Sequence, residues 1–326
     1  MPSSIAATQD AHKSCKGLAR LATMSEAAIR IDVCICAFAR RAGLRHCLQS
    51  LAAQVDAPAF RVLIADNHAQ LVVPDWIDAD SGTWPFELRV LHAPQANIAV
   101  ARNALLEAAS AEWIAFIDDD EVAAPDWLAN LFTARDACDV VFGPVQARYP
   151  AAAPEWLRRG DFLSKRPARR ARGYDTGHSA NVLIRRECIG ALRFEVELGR
   201  TGGEDTLFFA SMHDAGARLL FRDRAVVFEP ADPARSGFAT LMARSVASGH
   251  AHARVQRMRG QGRAYIAIGA AAKCVASLCF VVLQAMSAVG WRRQCLRAAL
   301  HFGVAAHALG ALPPTLYGDA TVRVDA

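Results

Sequence analysis

The run Trp113-Ile114-Ala115-Phe116-Ile117-Asp118-Asp119-Asp120-Glu121 decides how the fold of this 326-residue chain is interpreted. Five apolar residues are followed at once by four carboxylates, which predicts a buried strand whose carboxyl end emerges at a surface. Open α/β sheets bind ligands outside the carboxyl ends of their strands, so this position favours a ligand site. A divalent metal ion with oxygen ligands would relieve the repulsion among adjacent carboxylates. A solvated acidic turn is the simpler alternative.

Strands and helices alternate along the first half of the chain. Apolar stretches of strand length alternate with stretches of helical spacing, and a helix follows near residue 125. This βαβ order predicts an α/β fold with a mostly parallel sheet and helices on both faces. No Gly-x-Gly-x-x-Gly motif follows the first strand, so that dinucleotide fingerprint is absent. The predicted strands are 31–38, 60–65, 88–91, 113–117 and 139–145, and the predicted helices are 40–53 and 98–109.

The basic residues are concentrated near the C-terminus. The chain has a net charge of +5, and no acidic residue lies between Asp232 and Asp319, where ten basic residues occur. Hydrophobic residues make up 53% of the chain, a high share for a soluble domain, so contact with a membrane is one interpretation. A basic segment of this kind predicts an anionic partner, either lipid headgroups or nucleic acid. Aromatic and basic residues do not interleave here, which disfavours nucleic acid.

Two apolar stretches lie within this basic segment. The first, 265–289, is apolar except for Lys273 and Gln284, and its core after the Lys273 charge, 274–289, has 16 residues. That core is shorter than the ~20 residues needed to cross a bilayer. With a second short stretch at 298–312, it predicts interfacial or re-entrant helices, or a short hairpin, on an anionic membrane surface. A buried helical subdomain is the alternative.

Nine scattered cysteines without a Cys-x-x-Cys pair predict free thiols in a reducing compartment. Residues 1–28 lack the continuous apolar region of a secretory signal and are predicted to be a disordered tail.

Three further segments contain candidate functional residues. Asp66, at the end of the second strand, is placed to accept from a ribose hydroxyl or a nucleobase N–H, or to form a helix cap or Asx-turn. The basic loop 154–173 either closes over a diphosphate or is merely solvated. Paired glycines at 202–203 let the backbone approach a ligand, and Glu204 and Asp205 then open a helix. Those carboxylates either cap the helix or present a general base.

Six sequence blocks in a fixed order resemble the family 2 glycosyltransferases, which have the GT-A fold. Within that family, they are most similar to the bacterial exopolysaccharide enzymes of the succinoglycan ExoM type. The resemblance covers about residues 30–260. The matching blocks are Val33-Cys34-Ile35-Cys36-Ala37-Phe38, Asn97-Ile98-Ala99-Val100-Ala101-Arg102-Asn103, Phe116-Ile117-Asp118-Asp119-Asp120-Glu121, Phe142-Gly143-Pro144-Val145, Asn181-Val182-Leu183-Ile184-Arg185-Arg186 and Gly202-Gly203-Glu204-Asp205-Thr206.

The resemblance implies where the nucleotide of a sugar-nucleotide donor would bind. Ala37, Phe38 and Arg40 would line its base and ribose, and Asp66 would read the edge of the base. Arg102 would lie near the ribose or the diphosphate.

The resemblance also implies a metal site for Mg²⁺ or Mn²⁺. Asp118 and Asp120 form its DxD motif, with Asp118 near the ribose and Asp120 on the metal. Asp119 is counted with the donor-binding residues, without a firmer role. Many members place a histidine ligand after a late strand, where this chain has Glu229, a suitable oxygen ligand. His250 is the alternative ligand.

Catalytic and acceptor residues follow from the same resemblance. Asp205 matches the catalytic base, and Glu204 and Asn181 fall on the acceptor side. The implied activity is an inverting transfer of a hexose, glucose first, from a UDP-sugar to a lipid-linked saccharide at the cytoplasmic face of the plasma membrane. The alternative is a non-catalytic or regulatory nucleotide-sugar-binding protein at the membrane. A pyrophosphorylase is disfavoured, because no Gly-rich loop follows the first strand.

The implied organisation has four parts. A GT-A domain spans 29–235, and a basic, apolar, helical membrane-associating region spans 236–318. Tails at 1–28 and 319–326 flank them.

Overall fold

The structure is a computed structural model that describes residues 29–79, 84–233 and 236–314. The predicted tails at 1–28 and 319–326 lie outside the described residues. The described strands are β1 (Ile31–Ala37), β2 (Phe60–Asp66), β3 (Leu88–His92), β4 (Trp113–Ile117), β5 (Val122–Ala123), β6 (Val140–Phe142), β7 (Val145–Arg148), β8 (Asn181–Arg185), β9 (Leu219–Phe221) and β10 (Val227–Pro230). The described helices are α1 (Arg41–Ala52), α2 (Val73–Ala79), α3 (Ile98–Ala108), α4 (Trp127–Phe132), α5 (Glu155–Gly160), α6 (Glu204–Asp214), α7 (Phe238–Met258), α8 (Arg263–Leu283) and α9 (Gly290–Ala308).

A seven-stranded sheet with the order β3-β2-β1-β4-β8-β6-β9 forms the centre of the fold. Strands β3, β2, β1 and β4 run parallel, and β6 runs parallel to β9. Among the described strands of this sheet, β8 alone is antiparallel to its neighbours, β4 and β6. The predicted α/β fold with a mostly parallel sheet is therefore confirmed. A second, three-stranded sheet has the order β5-β10-β7.

The side chains of β1 alternate between two apolar cores, one on each face of the central sheet. Ile31, Val33 and Ile35 join the core that α1 and α4 cover, whereas Cys34 joins the core that α3 and α6 cover. This alternation follows from the period of two along a strand. Helices on both faces leave the carboxyl edge of β1, β2 and β4 available for a site.

The strand predicted at 139–145 is in fact two strands in different sheets. Strand β6 pairs with β8 and β9, and β7 pairs with β10. Gly143 lies between them, and a Cβ there would clash with the carbonyl oxygen of Ala225 and the side chain of Asn181. The chain changes sheets where only glycine fits. The segment 154–173, predicted as a loop, also begins with the short helix α5.

The three C-terminal helices pack together, and α9 contacts both α7 and α8. Helix α9 runs parallel to α7, since Phe238 lies against Trp291 and His250 against His307. It approaches α7 closely at Gly303, where an added Cβ would meet the backbone of Val246.

Helix α8 is longer than the sequence suggested. The apolar core of 16 residues, predicted to be too short for a bilayer, overlaps a helix of 21 residues. At about 1.5 Å per residue this helix is about 31 Å long. Within the described ranges it is the one helix whose length and apolar composition would allow it to cross a membrane, and 17% of its apolar window is buried. The prediction went wrong because it treated Lys273 as an interruption, and a lysine does not break a helix.

Candidate active site

The acidic turn Asp118-Asp119-Asp120-Glu121 directly follows β4. The Glu121 N–H donates to the Asp118 carbonyl at 3.2 Å, and the Asp118 N–H donates to Oε2 of Glu121 at 3.1 Å. Glu121 is fully buried, and burial raises its pKa well above the usual value, with the Asp118 charge adding to the effect. Glu121 therefore closes the turn from inside.

Residues 38–40, just after β1, hold the middle of this turn. The Phe38 N–H donates to Asp119 Oδ2 at 3.1 Å, and one Arg40 nitrogen bridges Asp119 at 3.1 Å and Asp120 at 2.7 Å. Ala39 lies between them at φ 54°, a left-handed conformation that aims both neighbours at the turn. Burial raises the pKa of Asp119 to about 7, although Arg40 opposes the shift. Arg40 thus acts as a counter-charge for the acidic turn in this structure.

Helix α1 supports the turn from behind. A Cβ added at Gly43 would lie 2.9 Å from the carbonyl oxygen of Asp119 and 3.3 Å from Cα of Asp120. Contacts under 3.0 Å require a backbone shift, so glycine at position 43 lets the first turn of α1 pack directly against the acidic turn.

The small sheet brings Glu229 and Lys165 to the same place. Strand β10 carries Glu229 and pairs with β5, which begins directly after Glu121. Lys165 is fixed by a backbone bridge to Val145 in β7. Its ammonium group lies 2.7 Å from Glu229 and 3.9 Å from Glu121.

Asp120 and Glu229 line one cavity of about 50 Å³. Burial raises the pKa of Asp120, Arg40 opposes the shift, and the charges of Asp118 and Glu229 add to it. In the described part of the chain, no three carboxylate, imidazole or thiol groups are placed to hold a metal ion. Two carboxylates with substrate phosphates are nonetheless a usual ligand set for Mg²⁺. The oxygen-only donor set fits a divalent ion that arrives with a diphosphate.

The ends of β1 and β2 form the neighbouring side of the site. Asp66 is fully buried, and its two oxygens accept from the N–H groups of His68, Val72 and Val73 at 2.7 to 3.1 Å. In this structure Asp66 therefore forms a turn and caps α2, the simpler of its two sequence interpretations. That it reads a nucleobase stays a prediction. The Phe38 ring lies 5.9 Å from the His68 ring, beside the buried Ala37.

Arg102 in α3 and Glu204 in α6 form a buried ion pair beneath the site. Arg102 also lies 5.4 Å over the Phe194 ring. Burial and the Asp205 carboxylate raise the pKa of Glu204 to about 7, and Arg102 opposes the shift. Through this pair Glu204 joins two helices from inside, which makes the pair a positioning element. That Glu204 lies on the acceptor side stays a prediction.

Asp205 occupies the first turn of α6, after two glycines in left-handed conformations. Gly202 has φ 84° and Gly203 has φ 98°, values that side-chain-bearing residues rarely adopt. One Asp205 oxygen accepts from the Thr206 N–H at 2.6 Å. Asp205 lines a cavity of about 410 Å³ that α6, α7 and α9 enclose. Among the described residues it forms no ion pair, so its second oxygen is available to a ligand.

Asn181 is fully buried at the start of β8. Its amide nitrogen donates to the carbonyls of Pro144 and Ala225, and its oxygen accepts from Trp127 Nε1 at 2.8 Å. The side chain holds the segment where the chain changes sheets. That Asn181 lies on the acceptor side stays a prediction.

His178 belongs to the site, although the sequence analysis gave it no role. Both ring nitrogens are buried without a hydrogen-bond partner in the described residues. Burial lowers its pKa to about 4, Asp205 and Asp118 oppose the shift, and Lys165 adds to it. Because β8 is antiparallel to β4, with Ile117 opposite Asn181, residue 178 returns to the carboxyl edge of β4.

His250, the alternative metal ligand, lies elsewhere. It is buried in α7, with its ring 5.7 Å from that of His307 in α9. The structure brings it to a helix–helix contact and not to the carboxylates.

Comparisons with known proteins identify the family of this chain. Residues 32–193 match the sequence model of the family described as Glycosyl transferase family 2. The chain is 37% identical over 303 residues to the succinoglycan biosynthesis protein ExoM of Rhizobium meliloti (strain 1021). The alignment covers 90% of this chain and 98% of that protein.

Solved structures share the fold. Mannosyltransferase PcManGT from Pyrobaculum calidifontis, in complex with GDP-Man and Mn²⁺, aligns with a TM-score of 0.60 at 16% identity, over 93% of this chain and 97% of that one. S. aureus TarS 1-349 in complex with UDP-GlcNAc aligns with a TM-score of 0.51 at 14% identity, over 86% and 92%. The predicted GT-A fold is confirmed, and with the family match and the ExoM identity the conclusion is that this chain belongs to glycosyl transferase family 2.

Proposed function

We propose that this family 2 enzyme is an inverting transferase in exopolysaccharide or cell-surface polysaccharide synthesis. It transfers a hexose, with glucose as the first candidate, from a UDP-sugar to a lipid-linked saccharide. The observation that carries the proposal is Asp205, a carboxylate without an ion-pair partner among the described residues, in a cavity of about 410 Å³. The name of the similar ExoM protein, a succinoglycan biosynthesis protein, supports the polysaccharide product.

The chemistry assigned to Asp205 is general-base catalysis. It takes the proton of the acceptor hydroxyl while that oxygen bonds to the anomeric carbon, and the bond from that carbon to the diphosphate oxygen breaks. One displacement from the opposite face inverts the anomeric centre.

Cations of the chain surround the place proposed for the diphosphate. Arg40 and Lys165 lie at the acidic turn and at Glu229, where they are placed to meet the charge that grows on the leaving group. The nitrogens of His178, which have no hydrogen-bond partner among the described residues, are available to a hydroxyl of the bound sugar.

A divalent ion is part of the proposal. Asp120 and Glu229 would hold Mg²⁺ or Mn²⁺, and Asp118 would lie near the ribose. The ion supplies a Lewis acid that neutralises diphosphate charge. The Mn²⁺ in the PcManGT complex is compatible with this choice.

A donor panel tests the proposed reaction. Purified protein is incubated with a lipid extract and UDP-glucose, UDP-galactose, UDP-GlcNAc or GDP-mannose, and both nucleoside diphosphate and glycolipid are measured. We expect UDP release from a UDP-hexose that depends on the lipid extract. Donor binding without any turnover would favour the non-catalytic alternative, and turnover with GDP-mannose alone would overturn the assignment of the nucleotide.

The acceptor assignment rests on the surface of α8. Its outward side chains are large and apolar, and Ile268 and Val282 are 71% and 75% exposed. Ten basic and no acidic residues between Asp232 and Asp319 complement anionic headgroups. Lys273 is the eleventh residue of this 21-residue helix, and a charge at the bilayer centre costs about 2.5–3.5 kcal/mol or more. We therefore place α8 in the interface at the cytoplasmic face of the plasma membrane, as a peripheral or monotopic element.

Replacing Ile268 and Val282 with Glu should weaken membrane binding. Loss of apolar burial and added repulsion from anionic lipid both act in this direction. Flotation with phosphatidylglycerol vesicles measures the bound fraction, which we expect to fall at least about tenfold. Val55→Glu, at an exposed apolar position after α1, is the matched control and should leave flotation unchanged. Equal flotation of the double variant and the wild type would refute the placement of α8.

A further inference from the structure

A groove lies beside the cavity of Asp205, on the side of α8. The two cavities share His252 in α7 and Leu300 in α9 as lining residues. The second cavity, of about 460 Å³, is enclosed by α7, α8 and α9 and has Gln256, Tyr265, Lys273 and His301 in its lining. The two cavities are therefore neighbours, one at Asp205 and the other at the helix whose apolar side chains are exposed.

The outer part of this groove is electropositive. Burial lowers the pKa of His252, and the charges of Arg170 and Lys273 lower it further. The pKa of His301 is lowered by burial and then by Lys273 and Arg297. Lys273 lines the groove together with both imidazoles, and Arg297 lies one turn before His301 on α9. Arg170 is paired with Asp175, so Lys273 and Arg297 are the two cations that remain. In the described part of the chain, neither Lys273 nor Arg297 forms an ion pair with a carboxylate.

Converging cations without counter-charges repel one another, and an anion relieves that repulsion. Phosphate oxygens accept from ammonium, guanidinium and imidazole groups in charge-assisted hydrogen bonds. Apolar side chains of α8 border the same groove, with Tyr265 75% and Ile268 71% exposed. The chemistry that fits both features is an amphiphilic anion with a phosphate or diphosphate head and an apolar tail.

We propose that the groove between α7, α8 and α9 binds the phosphate or diphosphate head of a lipid-linked acceptor, through Lys273, Arg297 and His252. The inference rests on the proposed transfer to a lipid-linked saccharide. It adds an anion subsite that positions the saccharide, which extends along the groove from the lipid head to Asp205.

The test is the double variant Lys273→Gln and Arg297→Gln, with farnesyl diphosphate in detergent micelles as the probe. Isothermal titration should show binding to the wild type that weakens about tenfold or more in the double variant, since two charge-assisted contacts are lost. Arg263→Gln, at an exposed cation of α8 outside the groove, should bind like the wild type. UDP affinity, measured on the same samples, should be equal in all three proteins.

The source of the anion is resolved by two more probes. Tighter binding of farnesyl diphosphate than of inorganic pyrophosphate supports a lipid ligand, and equal binding supports recognition of the phosphate group alone. Binding to phosphatidylglycerol vesicles but to neither diphosphate overturns the proposal, as does farnesyl diphosphate binding that the double variant leaves unchanged. If UDP-hexose transfer to lipid is observed while the double variant binds normally, the subsite fails and the proposed function stands.

Discussion

Replacing Asp205 with Asn should lower the rate of sugar transfer by about 10²–10⁴-fold, the usual contribution of a general base. Asparagine has the size of aspartate and keeps an oxygen for the Thr206 N–H, so α6 should begin at the same place. It cannot take up the proton of the acceptor hydroxyl. Initial rates of UDP release and of glycolipid formation, at saturating donor and acceptor, measure the effect on kcat.

Asp214→Asn is the matched control, because it makes the same change at the other end of α6. Asp214 is 56% exposed and pairs with Arg259 on the surface. Its replacement should leave kcat within about twofold of the wild type, since surface ion pairs contribute little to stability. A variant Asp205→Asn that turns over near the wild-type rate would remove the base assignment.

Replacing Asp120 with Asn should lower kcat by about 10²–10³-fold, the loss expected for one electrostatic contact to the leaving group. The same change should raise the Mn²⁺ concentration needed for half-maximal activity, because a neutral amide is a poorer ligand than a carboxylate. Arg40 keeps its bond to Asp119, so the acidic turn should retain its shape. Binding of Mn²⁺ in the presence of UDP, followed by electron paramagnetic resonance, reports the loss without turnover.

Asp136→Asn provides the comparison for this variant. Asp136 is 82% exposed, and its partner in the structure is the neighbouring Arg135. It should show wild-type Mn²⁺ binding and activity. Full activity of the wild type in a chelator, or unchanged Mn²⁺ binding by Asp120→Asn, would exclude Asp120 as a metal ligand.

The spacing of apolar residues along the sequence predicted the helices and strands whose formation depends on neighbouring residues. The buried residues of α1, Leu44, Cys47, Leu48 and Leu51, repeat with helical spacing. The apolar runs of β1, β2 and β4 were recognisable for the same reason. The change of sheet at Gly143 was not, because it depends on the carbonyl of Ala225, more than eighty residues later. The length of α8 was underestimated because apolar composition was counted in place of helix continuity.

The site was predicted where its residues are adjacent in sequence. Asp118 to Glu121 and the pair Glu204-Asp205 carry motifs that a reader of the sequence can recognise. Lys165 and His178 carry no motif, and only the pairing of distant strands brings them to the carboxylates.

Candidate residues of similar polar type differ in whether the fold buries their side chains. Asp66 and Asn181 are enclosed and bonded within the fold, whereas Asp205 opens into a cavity. A sequence pattern identifies a polar residue at a strand end, and it does not tell whether the backbone already uses that side chain.

The configuration of the new glycosidic bond tests the central claim most directly. UDP-hexoses such as UDP-glucose carry the sugar in the α configuration, and a single displacement assisted by Asp205 inverts it. The donor that the panel selects is supplied with ¹³C at the anomeric carbon, and the glycolipid product is examined by NMR. We predict a β-linked hexose whose formation Asp205→Asn suppresses. An α-linked product would contradict the account, because retention requires a different arrangement of catalytic groups.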